Sequence, residues 1–185
     1  MFFGGGEFGL GKDRTVQVLE SFIKKLPNFQ IVAVAGKNEK MKEIFDNYIP
    51  TSLRGMEQAA PKFLQFEKKY KKFLPTNTQA KVLDIGIGRG EMLSMMKKWG
   101  YADYCGIDIS PSTVGFCQKI GLNAMQVEDS TEYLAHHPDQ YDAITMLDVL
   151  EHFKKEDIIP FLKTARAALK KGGVLIIQVR SEERR

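Results

Sequence analysis

From residue 79 onward, short apolar runs alternate with segments of helical periodicity. The runs are KVLDIG (81–86), YCGIDI (104–109), NAMQVE (123–128), YDAITML (141–147) and GVLIIQV (173–179). Near-continuous apolar character marks strands covered on both faces, as in a parallel sheet between two helical layers. The helices between them carry their own punctuation. Ser110-Pro111 supplies an N-cap and a proline at the first helical position, and Gly100, Gly121 and Gly172 stand where helices should stop. Pro160 is expected in the first turn of a helix beginning near Glu156, where no helical hydrogen bond is lost. Right-handed crossovers between such units predict an α/β fold, a three-layer Rossmann-like sandwich on a mostly or wholly parallel sheet.

The first 48 residues read differently, as strand, glycine loop, helix, strand and further helix, a βαβ unit whose first strand is only Met1 to Phe3. Residues 49–78, with Pro50, Pro61 and Pro75, form a helical bridge to the main unit at 79–185. Phe63, Phe66, Tyr70, Phe73 and Leu74 fit one face of an amphipathic helix in that bridge. The same stretch, FEKKYKKF, interleaves aromatics with lysines, yet packing explains the aromatics, and the other lysines are scattered in pairs on polar helix faces. The net charge of +4 therefore predicts a solvated surface and no nucleic-acid partner. The amino-terminal apolar stretch is too short for a membrane span or a signal sequence, so a cytoplasmic protein is expected. Cys105 and Cys117 have no partners at zinc-ligand spacing and read as reduced thiols, with no metal expected.

The densest chemical signal is VLDIGIGRGEML, residues 82–93, where three glycines occupy five positions between an apolar run and a helix. Each glycine inside a regular element costs on the order of 0.5–1 kcal/mol relative to alanine, so something must approach the backbone there. A strand ending in Asp84, a turn on Gly86, Gly88 and Gly90, then a helix from Glu91 lets a ligand lie against bare backbone. A dinucleotide fingerprint would want glycine where Glu91 stands, which disfavours a nicotinamide cofactor. Asp108, 20 positions after Gly88, ends the second strand, where a carboxylate can accept both hydroxyls of a ribose.

These residues resemble the class I S-adenosylmethionine-dependent methyltransferases. The resemblance runs through VLDIGIGRGEML, GIDIS, EDSTEYL, YDAITMLDVLEHF and LKKGGVLIIQV, in order, over residues 79–179. It implies S-adenosyl-L-methionine as cofactor, with Gly86, Gly88 and Gly90 flanking its methionine part and Asp108 holding the ribose, Ile109 beside it. It further implies Asp129 or Ser130 near the adenine amine, and Leu147 and Asp148 on the pocket floor. Asp84 orients the loop or meets the cofactor's amino group, or as a buried carboxylate is purely structural. The acceptor implied is a small-molecule or saccharide hydroxyl, with His152 and Asp148 as candidates to take its proton; alternatively EHF starts the next helix, with Glu151 or His152 serving its terminus. His136-His137 reads as an exposed turn without visible chemistry.

Residues 1–48 resemble the start of the nucleotide-sugar-binding domain of diacylglycerol glucosyltransferase and monogalactosyldiacylglycerol synthase-type glycosyltransferases, through GGGEFGLGKDRTVQVLESF and FQIVAVAGKNEKMKEIF. The later donor-binding segments of that family are absent, so no glycosyl transfer is expected. Methyltransferases of this class continue into sixth and seventh strands, whereas here six residues follow Val179. The fifth strand would be an exposed apolar edge, and the amino-terminal unit is expected to cover it by laying FQIVAVAG or the first strand beside GVLIIQV. An inactive fold chimera of two enzyme fragments is the alternative to an active methyltransferase.

Overall fold

A computed structural model of the chain describes residues 30–36 and 66–180. Among these residues six strands form one parallel sheet in the order β1-β6-β5-β2-β3-β4, where β1 is Gln30–Gly36, β2 Lys81–Ile85, β3 Asp103–Asp108, β4 Ala124–Gln126, β5 Tyr141–Leu147 and β6 Leu169–Arg180. Four helices alternate with them: α1 (Glu91–Lys98), α2 (Pro111–Lys119), α3 (Ser130–Ala135) and α4 (Lys155–Ala168). β1 runs parallel to β6 from Gln30 opposite Val174 to Gly36 opposite Arg180, so the β6 edge is covered by a strand from the amino-terminal third of the chain. The rest of the expected βαβ unit, and the bridge as far as residue 65, lie outside the described residues.

Alternation along the strands divides the core into two layers. Leu83 and Ile85 of β2, Ile144 and Met146 of β5 and Leu175 and Ile177 of β6 pack under α4, against Ile158, Phe161, Leu162 and Ala165. Val82, Ala143 and Ile176, one residue out of phase, face the other way toward Met92, Leu93 and Met96 of α1 and toward Tyr70 and Leu74. Full burial of each such Leu, Ile or Phe contributes about 1.5–3 kcal/mol. Three polar side chains are buried with the second set: Asp84, Thr145 and Gln178, on the strands β2, β5 and β6.

Local signals held where the cap chemistry was explicit. Ser110 caps α2 by accepting from the Thr113 N–H, with Pro111 at the first helical position. Two expectations need correction. α4 begins at Lys155, so Pro160 lies beyond the first turn, inside the helix. Gly172 does not stop a helix: α4 ends at Ala168, the chain becomes extended at Leu169, and Gly172, at φ 84°, sits where the β5–β6 register shifts between Tyr141 and Ala143. That excursion is held by an ion pair from Lys170 Nζ to Asp142 Oδ2, 2.7 Å. His137 is also more than a turn residue, since its ring stacks on Tyr133 with centroids 4.2 Å apart. No helix among the described residues is long and apolar enough to cross a membrane.

Candidate functional site

The strand order reverses between β5 and β2, and parallel sheets bind ligands outside the carboxyl ends of the strands at such a point. A cavity of about 640 Å³ opens there. Its size falls within the roughly 300–1,000 Å³ typical of small-molecule sites.

The three glycines of the first loop do three different things. Gly86 has φ 72° and donates its N–H to the Ile107 carbonyl at 2.8 Å; a Cβ on it would lie 2.3 Å from Val149 Cγ2. Its bareness lets the loop after β5 close over the end of β2. Gly88, at φ 51°, is exposed on the cavity wall, and a Cβ there would meet only Glu91 Oε2, 4.0 Å away. Gly90, expected beside the ligand, does not line the cavity. As the left-handed N-cap of α1 it turns toward α2, where a Cβ would lie 2.6 Å from Leu122 Cδ1 and 3.0 Å from Cys117 Sγ.

The cavity joins the other residues singled out from the sequence. Asp84, Asp108 and Ile109 line one part of it, Asp129 and Ser130 another, and Leu147, Asp148 and His152 come from the end of β5 and the turn after it. Asp84 is 3% exposed and accepts a hydrogen bond from Thr145 Oγ1. Burial pushes its carboxyl up to about 8, reinforced by the charges of Glu91 and Asp108 and opposed by the Thr145 hydrogen bond. Asp108 Oδ1 accepts from the Ser110 N–H at 2.9 Å, which fixes the carboxylate at the strand end. Asp129 caps α3 with one oxygen, taking the N–H groups of Thr131 and Glu132 at 2.7 and 3.1 Å. Ile109 stands 67% exposed at the rim, an apolar side chain placed where a ligand would cover it. His152 is exposed, in a short 3-10 turn at Leu150–His152.

Asp148 is held in an unusual way. Its φ is 56°, uncommon outside glycine and a frequent mark of a functional position. Two bonds to one residue keep it there: its N–H donates to the Gln178 carbonyl at 2.9 Å, and Gln178 Nε2 donates to Asp148 Oδ1 at 2.8 Å. Gln178 Oε1 in turn accepts from the Tyr70 hydroxyl and from Lys69 Nζ. Tyr70 and Gln178 both line the cavity, and the sequence reading passed over both. Tyr70 was absorbed into an apolar helix face, where it does pack, edge-on against Phe66 at 4.6 Å. For Gln178 a signal existed: it is the one polar residue in the run GVLIIQV.

Six carboxylates line the cavity, from Asp84, Glu91, Asp108, Glu128, Asp129 and Asp148, and among the described residues no lysine or arginine does. The site is thus built for a ligand with cationic groups and hydroxyls, received against bare backbone at Gly88.

The family described as "Methyltransferase domain" matches residues 56–185. The chain belongs to that family. Among its curated relatives is a ubiquinone biosynthesis O-methyltransferase from Xanthomonas campestris pv. campestris, 29% identical over 103 residues, a match that takes in 53% of this chain and 42% of the relative. The chain therefore spans about two fifths of that relative's length. Among solved structures, a SAM-dependent methyltransferase from Archaeoglobus fulgidus superimposes with a TM-score of 0.50 at 25% identity, over 64% of this chain and 54% of the other. A Pyrococcus horikoshii protein, at 19% identity and a TM-score of 0.53 over 75% of this chain and 65% of its own, shares the fold.

Proposed function

We propose that this methyltransferase domain binds S-adenosyl-L-methionine in the cavity at the β2/β5 switch and transfers its methyl group to a hydroxyl of a small-molecule or saccharide acceptor. The observation that carries the reading is the juxtaposition of Asp108, at the end of β3, with a glycine turn whose Gly88 leaves backbone open to the same acid-lined cavity. The residues fit the cofactor: Asp108 is anchored through Oδ1 and can receive ribose hydroxyls, Ile109 offers an exposed apolar side chain at the rim for the base, and Asp129 and Ser130 line the same cavity. The bound cofactor supplies an electrophilic methyl on a sulfonium leaving group. The chain's contribution is alignment, because holding an acceptor in line replaces a bimolecular encounter by an effectively unimolecular one.

The acceptor oxygen must also lose its proton as the new O–C bond forms. Asp148 and His152 flank the cavity from the loop after β5 and are the bases we assign, Asp148 held by Gln178 and His152 free to meet a substrate at the rim. Phe66, Tyr70, Val149 and Phe153 give that region an apolar wall. A hydroxyl acceptor accords with the name of the O-methyltransferase relative.

Isothermal calorimetry with the demethylated product, S-adenosylhomocysteine, tests the reading. Hydrogen bonds to a charged group contribute about 1.5–3 kcal/mol, so Asp108→Ala should weaken binding roughly 10–150-fold while the protein stays folded. Unaltered affinity in that variant, or no binding to the parent chain, would place the nucleoside elsewhere.

A further inference from the structure

Gln178 is the one amide in β6. It lies opposite Val34 of β1 on one side and Leu147 of β5 on the other, and it is 7% exposed. An amide buried in the middle of a sheet costs free energy unless its polar atoms are bonded, and an apolar side chain would fill the same space without that demand. Packing therefore gives no reason for a glutamine at this position.

Its surroundings decide which way the carboxamide points. Oε1 accepts from the Tyr70 hydroxyl and from the Lys69 ammonium, and because an ammonium has donors and no acceptor, the oxygen must face that side. The amino end is thereby turned to Asp148, where Nε2 donates to Oδ1 at 2.8 Å. The main chain takes a second hold, the Asp148 N–H donating to the Gln178 carbonyl at 2.9 Å. β5 ends at Leu147, so Asp148 is the first residue past the strand, and its φ of 56° is a conformation that persists only where the surroundings over-determine it. The sheet ladder stops short of this residue; the Gln178 amide extends the hold to its carboxylate. A neutral donor does so without cancelling the carboxylate's charge, as a lysine or arginine at 178 would.

We propose that Gln178 is a positioning residue for methyl transfer, its backbone and amide together fixing the Asp148 carboxylate on the cavity wall at the place where the acceptor's hydroxyl meets the donor's methyl. The assignment rests on the reading of Asp148 as a base for the acceptor. It also gives Lys69 a part in the site, as the cation that keeps the amide from turning over.

Calorimetry on the full chain with two stable donor analogues tests this without an acceptor. Sinefungin carries an ammonium in place of the sulfonium's methyl, on the side from which the acceptor oxygen approaches; S-adenosylhomocysteine carries nothing there. The quantity read is the ratio of their affinities. The parent should favour sinefungin roughly 10–150-fold, the range expected from one hydrogen bond to a charged group. Asp148→Asn should bring the ratio to within about threefold of unity, and Gln178→Met should lower it by about fivefold or more. In the Asp148→Asn chain, adding Gln178→Met should move the ratio by less than about twofold, because one residue acts through the other. An equal loss in both backgrounds, or an unchanged ratio in Gln178→Met alone, overturns the positioning role. A parent ratio near one, or one indifferent to Asp148→Asn, takes the base assignment of Asp148 down with it. A parent chain that binds neither ligand removes the donor reading beneath both.

Gln178→Glu keeps the test decisive should the methionine variant fail to fold. It retains acceptors for Tyr70 and Lys69 but sets oxygen against oxygen at Asp148, and should lower the thermal midpoint by about 3–12 °C. Asp148→Asn in the same chain supplies a donor to the new carboxylate and should restore the midpoint. No recovery overturns the contact on which the proposal stands.

Discussion

Gly86→Ala is expected to destabilise the domain by about 2–5 kcal/mol, because two penalties coincide at one residue. A left-handed backbone costs an L-residue about 1–2 kcal/mol, and overpacking a filled site adds about 1–3 kcal/mol. Both apply at Gly86, with φ 72° and a prospective Cβ 2.3 Å from Val149 Cγ2. In a chain of 185 residues this should lower the thermal midpoint by roughly 5–15 °C. Gly88→Ala is the informative contrast. Its backbone is also left-handed, but its Cβ would meet nothing closer than Glu91 Oε2 at 4.0 Å, so only the conformational penalty of about 1–2 kcal/mol remains. The new methyl would stand on the cavity wall, and the larger effect should be on S-adenosylhomocysteine affinity. A melting comparison together with calorimetry checks the division: Gly86 for closure of the fold, Gly88 for access to ligand. Equal midpoints in the two variants would show that Val149 yields and that the loop is not packed as described.

That division marks where sequence stops informing. The layers, the parallel sheet and the cavity residues were readable because each depends on local signals: unbroken apolar runs, an N-cap followed by proline, an acid at a strand end. The three glycines looked alike because a turn with positive φ imposes the same composition whether the missing side chain makes room for a ligand, for Val149 or for Leu122 and Cys117. Only the third dimension separates those cases. Asp129 shows a similar overlap, since the carboxylate expected near a ligand is also the N-cap of α3, and either demand selects the same residue. The network from Lys69 and Tyr70 through Gln178 to Asp148 was illegible for a different reason: it joins residues 108 and 109 positions apart, and each end has an adequate local explanation. Pro160 and Gly172 were misplaced because helix boundaries depend on where packing under the sheet begins and ends, which composition does not encode.

Asp84→Asn should make the empty domain more stable above neutrality, and the sign follows from burial. In the folded chain the carboxyl is held neutral up to about 8, whereas its ordinary value is 3.8. Between those two values the native state binds more protons than the unfolded state, so the stability of the parent falls as pH rises through that interval. Below about pH 4 the two chains should unfold alike in urea; near pH 8 the asparagine variant should be ahead by a few kcal/mol, having no carboxylate to desolvate. A ligand that brings an ammonium to this carboxyl changes the balance by favouring its ionised form. Affinity of the parent for S-adenosylhomocysteine should then climb between about pH 6 and 8, by at most tenfold per pH unit, while the variant stays flat and weaker. The readings of Asp84 left open by the sequence part here. A carboxyl that meets the amino group gives a rising curve abolished by the substitution; one that merely orients the loop through Thr145 gives parallel curves for both chains, with the stability difference intact.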